Sequence, residues 1–110
     1  MVNMDKDIMV AKKIINEELK KSGFSVDRII LFGSRAKGTY KKDSDWDFLI
    51  IIKETITFPE LRDIIADIQI RLAEKRIPND IIIRGESDFE KMKNVIGNIS
   101  YFANREGMPV

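Results

Sequence analysis

The segment Ile29-Ile30-Leu31-Phe32-Gly33-Ser34, then nine intervening residues, then Ser44-Asp45-Trp46-Asp47-Phe48-Leu49-Ile50-Ile51-Ile52, decides how this chain is read. Both apolar runs are rich in β-formers, so the pattern predicts two strands, one ending and one beginning at a polar mouth. Side chains alternate faces along a strand. Asp45 and Asp47 therefore share a face, while Trp46 and Phe48 enter the opposite layer. Two carboxylates so placed can hold the same metals. Magnesium, a hard octahedral cation, prefers oxygen ligands, and two such ions roughly 3.5–4 Å apart can activate an attacking oxygen and stabilise a leaving one. Gly33 supplies the complementary half, because a residue without a Cβ lets a phosphate approach the backbone where a following helix offers free N–H groups. The Ser34 hydroxyl is a further donor to the same phosphate.

Neither half is specific alone, since Asp and Ser are common in turns and at helix starts. The order of parts carries the reading: strand, Gly-Ser, a short polar segment with Arg35 and Lys37, then an acidic pair opening a second strand. Gly33-Ser34-Arg35-Ala36-Lys37-Gly38-Thr39 spaces its glycines as a P-loop does. That motif needs Lys and then Ser or Thr after the second glycine, where this chain has Thr39 and Tyr40, so the P-loop reading fails. A G-x-G-x-x-G dinucleotide fingerprint is also absent.

Outward from this centre, elements alternate between helix and strand. Ile8, Ala11, Ile15 and Leu19 recur at helical spacing, which predicts a helix from about residue 5 to 21, ended by Gly23. Val26 to Phe32 is the first strand, and 34–40 a short helix or turn limited by Gly38. The second strand, Trp46 to about Lys53, is continuously apolar, as expected of a central strand covered on both faces. Thr57, Pro59 and Glu60 then combine an N-cap, an early proline and a capping-box acid, predicting a helix to about Lys75 with a core stripe of Leu61, Ile64, Ile65, Ile68 and Leu72. Pro78-Asn79-Asp80 opens a third strand, Ile81-Ile82-Ile83, and Ser87 to Glu90 has the form of a second capping box. If the third strand lies beside the second, Asp80 reaches the same metals and can take a proton from an attacking hydroxyl; the alternative is a plain turn after Pro78.

The chain has 110 residues, enough for one core but not two, and a single domain over 1–110 is expected. With 19 basic and 18 acidic side chains the net charge is +1, so no extended nucleic-acid surface is implied. Cysteine and histidine are both absent, which excludes disulfides, thiolate metal sites, Ser-His-Asp triads and imidazole bases. Chemistry must run on carboxylates, hydroxyls, Lys and Arg. The N-terminal residues lack the apolar region of a leader, and no apolar stretch approaches a membrane span, so a cytoplasmic protein without membrane association is expected.

Gly33-Ser34, ten residues, then Asp45-x-Asp47 resembles the nucleotidyltransferase superfamily of DNA polymerase β, in particular its minimal nucleotidyltransferase (MNT) members. The likeness runs from the first helix through Asp80 and into the tail, where Gly97 to Tyr101 and Arg105-Glu106-Gly107 resemble the segment that closes these short domains. The resemblance implies an α/β (α+β) fold with a small mixed sheet flanked by helices and the site at the mouth of the first three strands. It implies ATP, or another nucleoside triphosphate, held at Gly33 and Ser34 with Arg35 and Lys37 neutralising its phosphates. Catalysis and Mg2+ binding, with two ions, fall to Asp45, Asp47 and Asp80. Members of this kind resemble antitoxins of toxin–antitoxin modules whose partner is a HEPN-domain toxin, and the implied reaction moves AMP from ATP to a tyrosine hydroxyl of that toxin.

Two other classes stay open at this point. One is a binding-only antitoxin that covers its toxin without turnover; the other is nucleotidyl transfer to a small molecule or an RNA end. Acceptor recognition would come from a partner or from self-association as a homo-oligomer. Ile99, Tyr101 and Phe102 fit either a partner surface or the packing of a terminal helix.

Overall fold

The computed structural model describes residues 2–110, with side chains from Lys6 onward, so the side chains at the start of the expected first helix lie outside the described residues. The elements follow as α1 (Val2–Lys21), β1 (Val26–Phe32), α2 (Ser34–Lys37), β2 (Trp46–Ile52), α3 (Phe58–Glu74), β3 (Asn79–Gly85), α4 (Glu86–Met92), α5 (Ile99–Glu106) and β4 (Met108–Pro109). Among the described residues the strands form one sheet in the order β3-β2-β1-β4. β1 runs antiparallel to β2 and to β4, whereas β2 and β3 are parallel, so the sheet is mixed as expected.

The run Phe48-Leu49-Ile50-Ile51-Ile52 is apolar without alternation because both faces of β2 are covered. On one face Trp46, Phe48, Ile50 and Ile52, with Ile29 and Leu31 of β1, pack against Ala11, Ile15 and Leu19 of α1 and Ile64, Ile68 and Leu72 of α3. On the other, Leu49, Ile51 and Ile30 meet Phe89 of α4 and Ala103 of α5. The second cover is the smaller, and it leaves the Asp47 end of the sheet open.

Helix α3 starts where its sequence signals place it. Glu60 accepts from the Thr57 N–H at 3.3 Å and from its hydroxyl at 3.0 Å. An ion-pair cluster joins α3 to α1, with Arg71 donating to Glu18 at 3.0 Å and to Glu17 at 2.9 Å. Burial alone would raise the pKa of Glu18, but the hydrogen bonds from Arg71 and Lys21 outweigh it and hold the carboxyl below its ordinary value.

The second capping box does not form as expected. Helix α4 begins at Glu86 with Gly85 at its N-cap, so Ser87 is already helical. Glu90 is drawn instead to Arg28 at 3.2 Å and Lys93 at 2.8 Å. Ion pairs with Arg28 of β1 and with Lys93, three residues further on, won over a local cap. At the C-terminus Asn98 caps α5 by accepting from Tyr101 N–H at 3.1 Å. The chain then runs antiparallel beside β1 as β4, and Gly107 just before it is required because a Cβ there would collide with Ala103 O and Ile30. Within α5 the burial is divided, with Ser100 and Ala103 inside and Phe102 45% exposed.

Candidate active site

Strand direction gathers the candidate residues at one end of the sheet. Because β1 and β2 are antiparallel, the C-terminal end of β1 meets the start of β2, and because β2 and β3 are parallel, their starts coincide. The register is Phe32 opposite Asp47 and Asp47 opposite Asp80. Adjacent strands are about 4.8 Å apart, so Asp47 and Asp80 are immediate neighbours on the same, less covered face. Asp45 immediately precedes β2 and is exposed, as is Asp80, while Asp47 is partly buried.

Gly33 is shaped by this arrangement. Its φ of 76° and ψ of −157° fall in a region essentially restricted to glycine, and a Cβ there would run into the Asp47 carboxylate. Backbone and carboxylate therefore touch only because the side chain is missing. The chain turns at once into α2, with the Ala36 and Lys37 amides both bonded to Gly33 O at 3.2 Å. The first amides of such a turn have no partner within the helix.

The acids are coupled through their charge. Burial first, then the neighbouring Asp80 and Asp45 carboxylates, push Asp47 from 3.8 to about 6. Each contribution disfavours the charged form, and a cation would relieve each of them. The donor set is all carboxylate oxygen, the chemistry suited to magnesium. Among the described residues no three acidic side chains are drawn together as a ready metal cage.

Arg35 occupies a different post from the one expected. Its side chain is 8% exposed, with the guanidinium 4.4 Å from the Trp46 ring centre and 4.6 Å from that of Tyr40. It donates to Ser44 O at 3.0 Å and to Lys42 O at 3.2 Å. The Ser44 hydroxyl in turn accepts from the Lys41 amide at 2.8 Å. A planar cation between two rings, with its donors committed to carbonyls, fastens the loop that delivers Asp45 instead of facing a phosphate. Lys37 stays half-exposed at the end of α2 and pairs with Glu106 of α5 at 3.0 Å. Tyr40, Ser44 and Glu106 carry no motif; only the fold brings them to Arg35 and Lys37.

Residues 12–105 match the family described as polymerase beta, nucleotidyltransferase. The chain belongs to that family. Among relatives of this nucleotidyltransferase, a Methanocaldococcus jannaschii protein named for protein adenylyltransferase activity is 48% identical over 54 residues, which cover 49% of this chain and 52% of the relative. The chain thus matches about half the length of that protein. A solved toxin–antitoxin structure with AMP-PNP superposes with a TM-score of 0.59 at 16% identity, covering 88% of this chain and 69% of the other, a likeness of fold. Among the described residues no helix is long and apolar enough to cross a membrane.

Proposed function

We propose that this chain is a single minimal nucleotidyltransferase domain that transfers AMP from ATP to a tyrosine hydroxyl of a partner HEPN-domain toxin, using magnesium and acting as an antitoxin in the cytoplasm. The observation that carries the reading is the registered pair Asp47 and Asp80, with the Asp47 carboxylate seated against Gly33 in the space a side chain there would fill, at the start of α2. Family membership supports nucleotidyl transfer, and the name of the archaeal relative supports a protein acceptor. The fold shared with a toxin–antitoxin structure containing AMP-PNP is consistent with the donor and the partner.

In this reading Gly33 and the amides that follow it bind the triphosphate, and the Ser34 hydroxyl donates to the same oxygens. Asp45, Asp47 and Asp80 would hold magnesium, which when bound neutralises phosphate charge and favours the ionised acceptor. Asp80 accepts the proton of the incoming hydroxyl. The acceptor oxygen forms a bond to the α-phosphorus as the bond to pyrophosphate breaks, with the two oxygens in line. Arg35 acts before the chemistry, by holding the 42–44 loop so that Asp45 stays beside Asp47. Lys37 contributes a positive charge near the phosphate end that Glu106 partly offsets.

The test is incubation with ATP labelled at the α-phosphate and, in parallel, at the γ-phosphate, with magnesium and the product of the neighbouring gene. Labelling of the partner by the α-label alone, lost in an Asp45→Asn/Asp47→Asn variant, is the expected result. A neutralised partner that never takes up label would replace this reading with that of a binding antitoxin on a nucleotidyltransferase fold.

A further inference from the structure

Strand β3 is an edge of the sheet, and its outer side is unusual for an edge. It carries Ile81-Ile82-Ile83 without proline, lysine or an irregular pairing that would blunt it, whereas natural edges are commonly guarded in those ways. The phase of its hydrogen bonds follows from one contact, the Trp46 amide donating to Pro78 O at 2.8 Å. In a parallel ladder the residues that face the neighbour alternate, so Asp80, Ile82 and Arg84 turn their backbone groups to β2. Asn79, Ile81, Ile83 and Gly85 turn theirs outward. Among the described residues those of Ile81 and Ile83 meet no other backbone, and Ile83 O is met only by the Nη1 of Arg84, at 2.9 Å.

We propose that β3 pairs antiparallel with β3 of a second copy of this chain about a two-fold axis at Ile82, each Asp80 facing Arg84 of the other copy. The register is dictated by two independent features that agree. The outward groups belong to Ile81 and Ile83, which in this register oppose each other and exchange both backbone bonds. The same register places Asp80 against Arg84 as a non-hydrogen-bonded pair, whose Cβ atoms approach within about 4.5–5.5 Å. The order Asn79-Asp80-Ile81-Ile82-Ile83-Arg84-Gly85 thus complements itself when reversed, acid against base with isoleucine at the centre. Shifting the pairing by two residues keeps the backbone bonds but separates the charges. A foreign strand would find the backbone edge but no reason for the acid and the base to stand symmetrically about Ile82. Arg84 makes no ion pair among the described residues. The net charge of +1 opposes association of two copies only weakly. The interface also touches the site, since Asp80 is assigned above to magnesium. That consequence rests on the proposed function, whereas the dimer does not.

The experiment uses the chain without nucleotide and in EDTA, so its outcome is separate from any failure of transfer activity. Sedimentation over a wide concentration range should show a monomer–dimer equilibrium. Arg84→Asp, which sets two acids against each other, should weaken it about tenfold or more, and the exchange Asp80→Arg/Arg84→Asp should restore it. Because the natural chain has no cysteine, Ile82→Cys should give a disulfide-linked dimer on mild oxidation while Lys53→Cys, away from the edge, should not. The cross-link decides the matter even if a charge variant fails to fold. A protein monomeric at all concentrations, or a dimer that neither cross-links at position 82 nor responds to Arg84→Asp, overturns the proposal.

Discussion

Replacing Asp47 with asparagine should make the metal-free protein more stable while abolishing transfer. Folding takes this carboxyl from 3.8 to about 6, through burial and the charges of Asp80 and Asp45. Between those values the folded state binds the proton more tightly than the unfolded one, so stability falls as pH rises through the interval and levels off above it. Two units correspond to a ceiling of about 3 kcal/mol, and screening on the solvent side reduces the expected penalty at pH 8 to about 1–2 kcal/mol. An asparagine side chain never carries that charge. Thermal unfolding in EDTA at pH 8 should therefore place the variant about 5–10 °C above the natural protein, given about 4–8 °C per kcal/mol for a domain near this size. At pH 4 the difference should nearly vanish, because Asp47 is then largely protonated when folded. Magnesium should narrow the gap at pH 8 by stabilising only the natural carboxylate site. A variant less stable than the natural protein at pH 8, or a gap of the same size at pH 4, would refute the reasoning.

Gly33→Ala forces a Cβ into the Asp47 carboxylate at a φ that alanine resists, and should cost about 2–4 kcal/mol in urea unfolding as well as transfer activity. Unaltered stability would mean the backbone can relax there. Arg35→Met keeps the stem between Tyr40 and Trp46 but loses the bonds to Lys42 and Ser44. It should lower kcat by about tenfold or more with little change in the KM for ATP, because Arg35 positions Asp45 and does not touch phosphate; a rise in KM alone would return Arg35 to the phosphates. Glu18→Gln tests the opposite pH dependence. Its folded pKa lies below the ordinary 4.5, so the Arg71 and Lys21 contacts stabilise the fold above that value and are lost as pH falls through the folded pKa. Thermal melts of this variant should show a smaller loss of stability on acidification.

Much of the fold was legible because it rests on local signals. Alternation of faces, β-forming runs and the Thr57 to Glu60 cap located β1, β2 and α3, each of which depends mainly on its own residues. The α4 boundary was misread because a capping box is a weak local preference, and Glu90 found stronger partners in Arg28, distant in sequence, and in Lys93. Arg35 was misread for a similar reason. Nothing in Arg35 itself says whether its charge faces a ligand or lies between Tyr40 and Trp46.

What the sequence determined by itself was the set of reactive groups. The absence of histidine and cysteine left carboxylates, hydroxyls and cations, and strand periodicity led to the expectation that Asp45 and Asp47 share a face, although Asp45 lies just before β2. Only tertiary structure decided that Asp80 stands in register with Asp47, that Asp47 overlies Gly33, and that Arg35 serves the loop. Periodicity describes which way a side chain points from its own strand. It carries no information about which strand lies alongside, in which direction, or in what register, because those are set by the packing of the helices and by long-range hydrogen bonding.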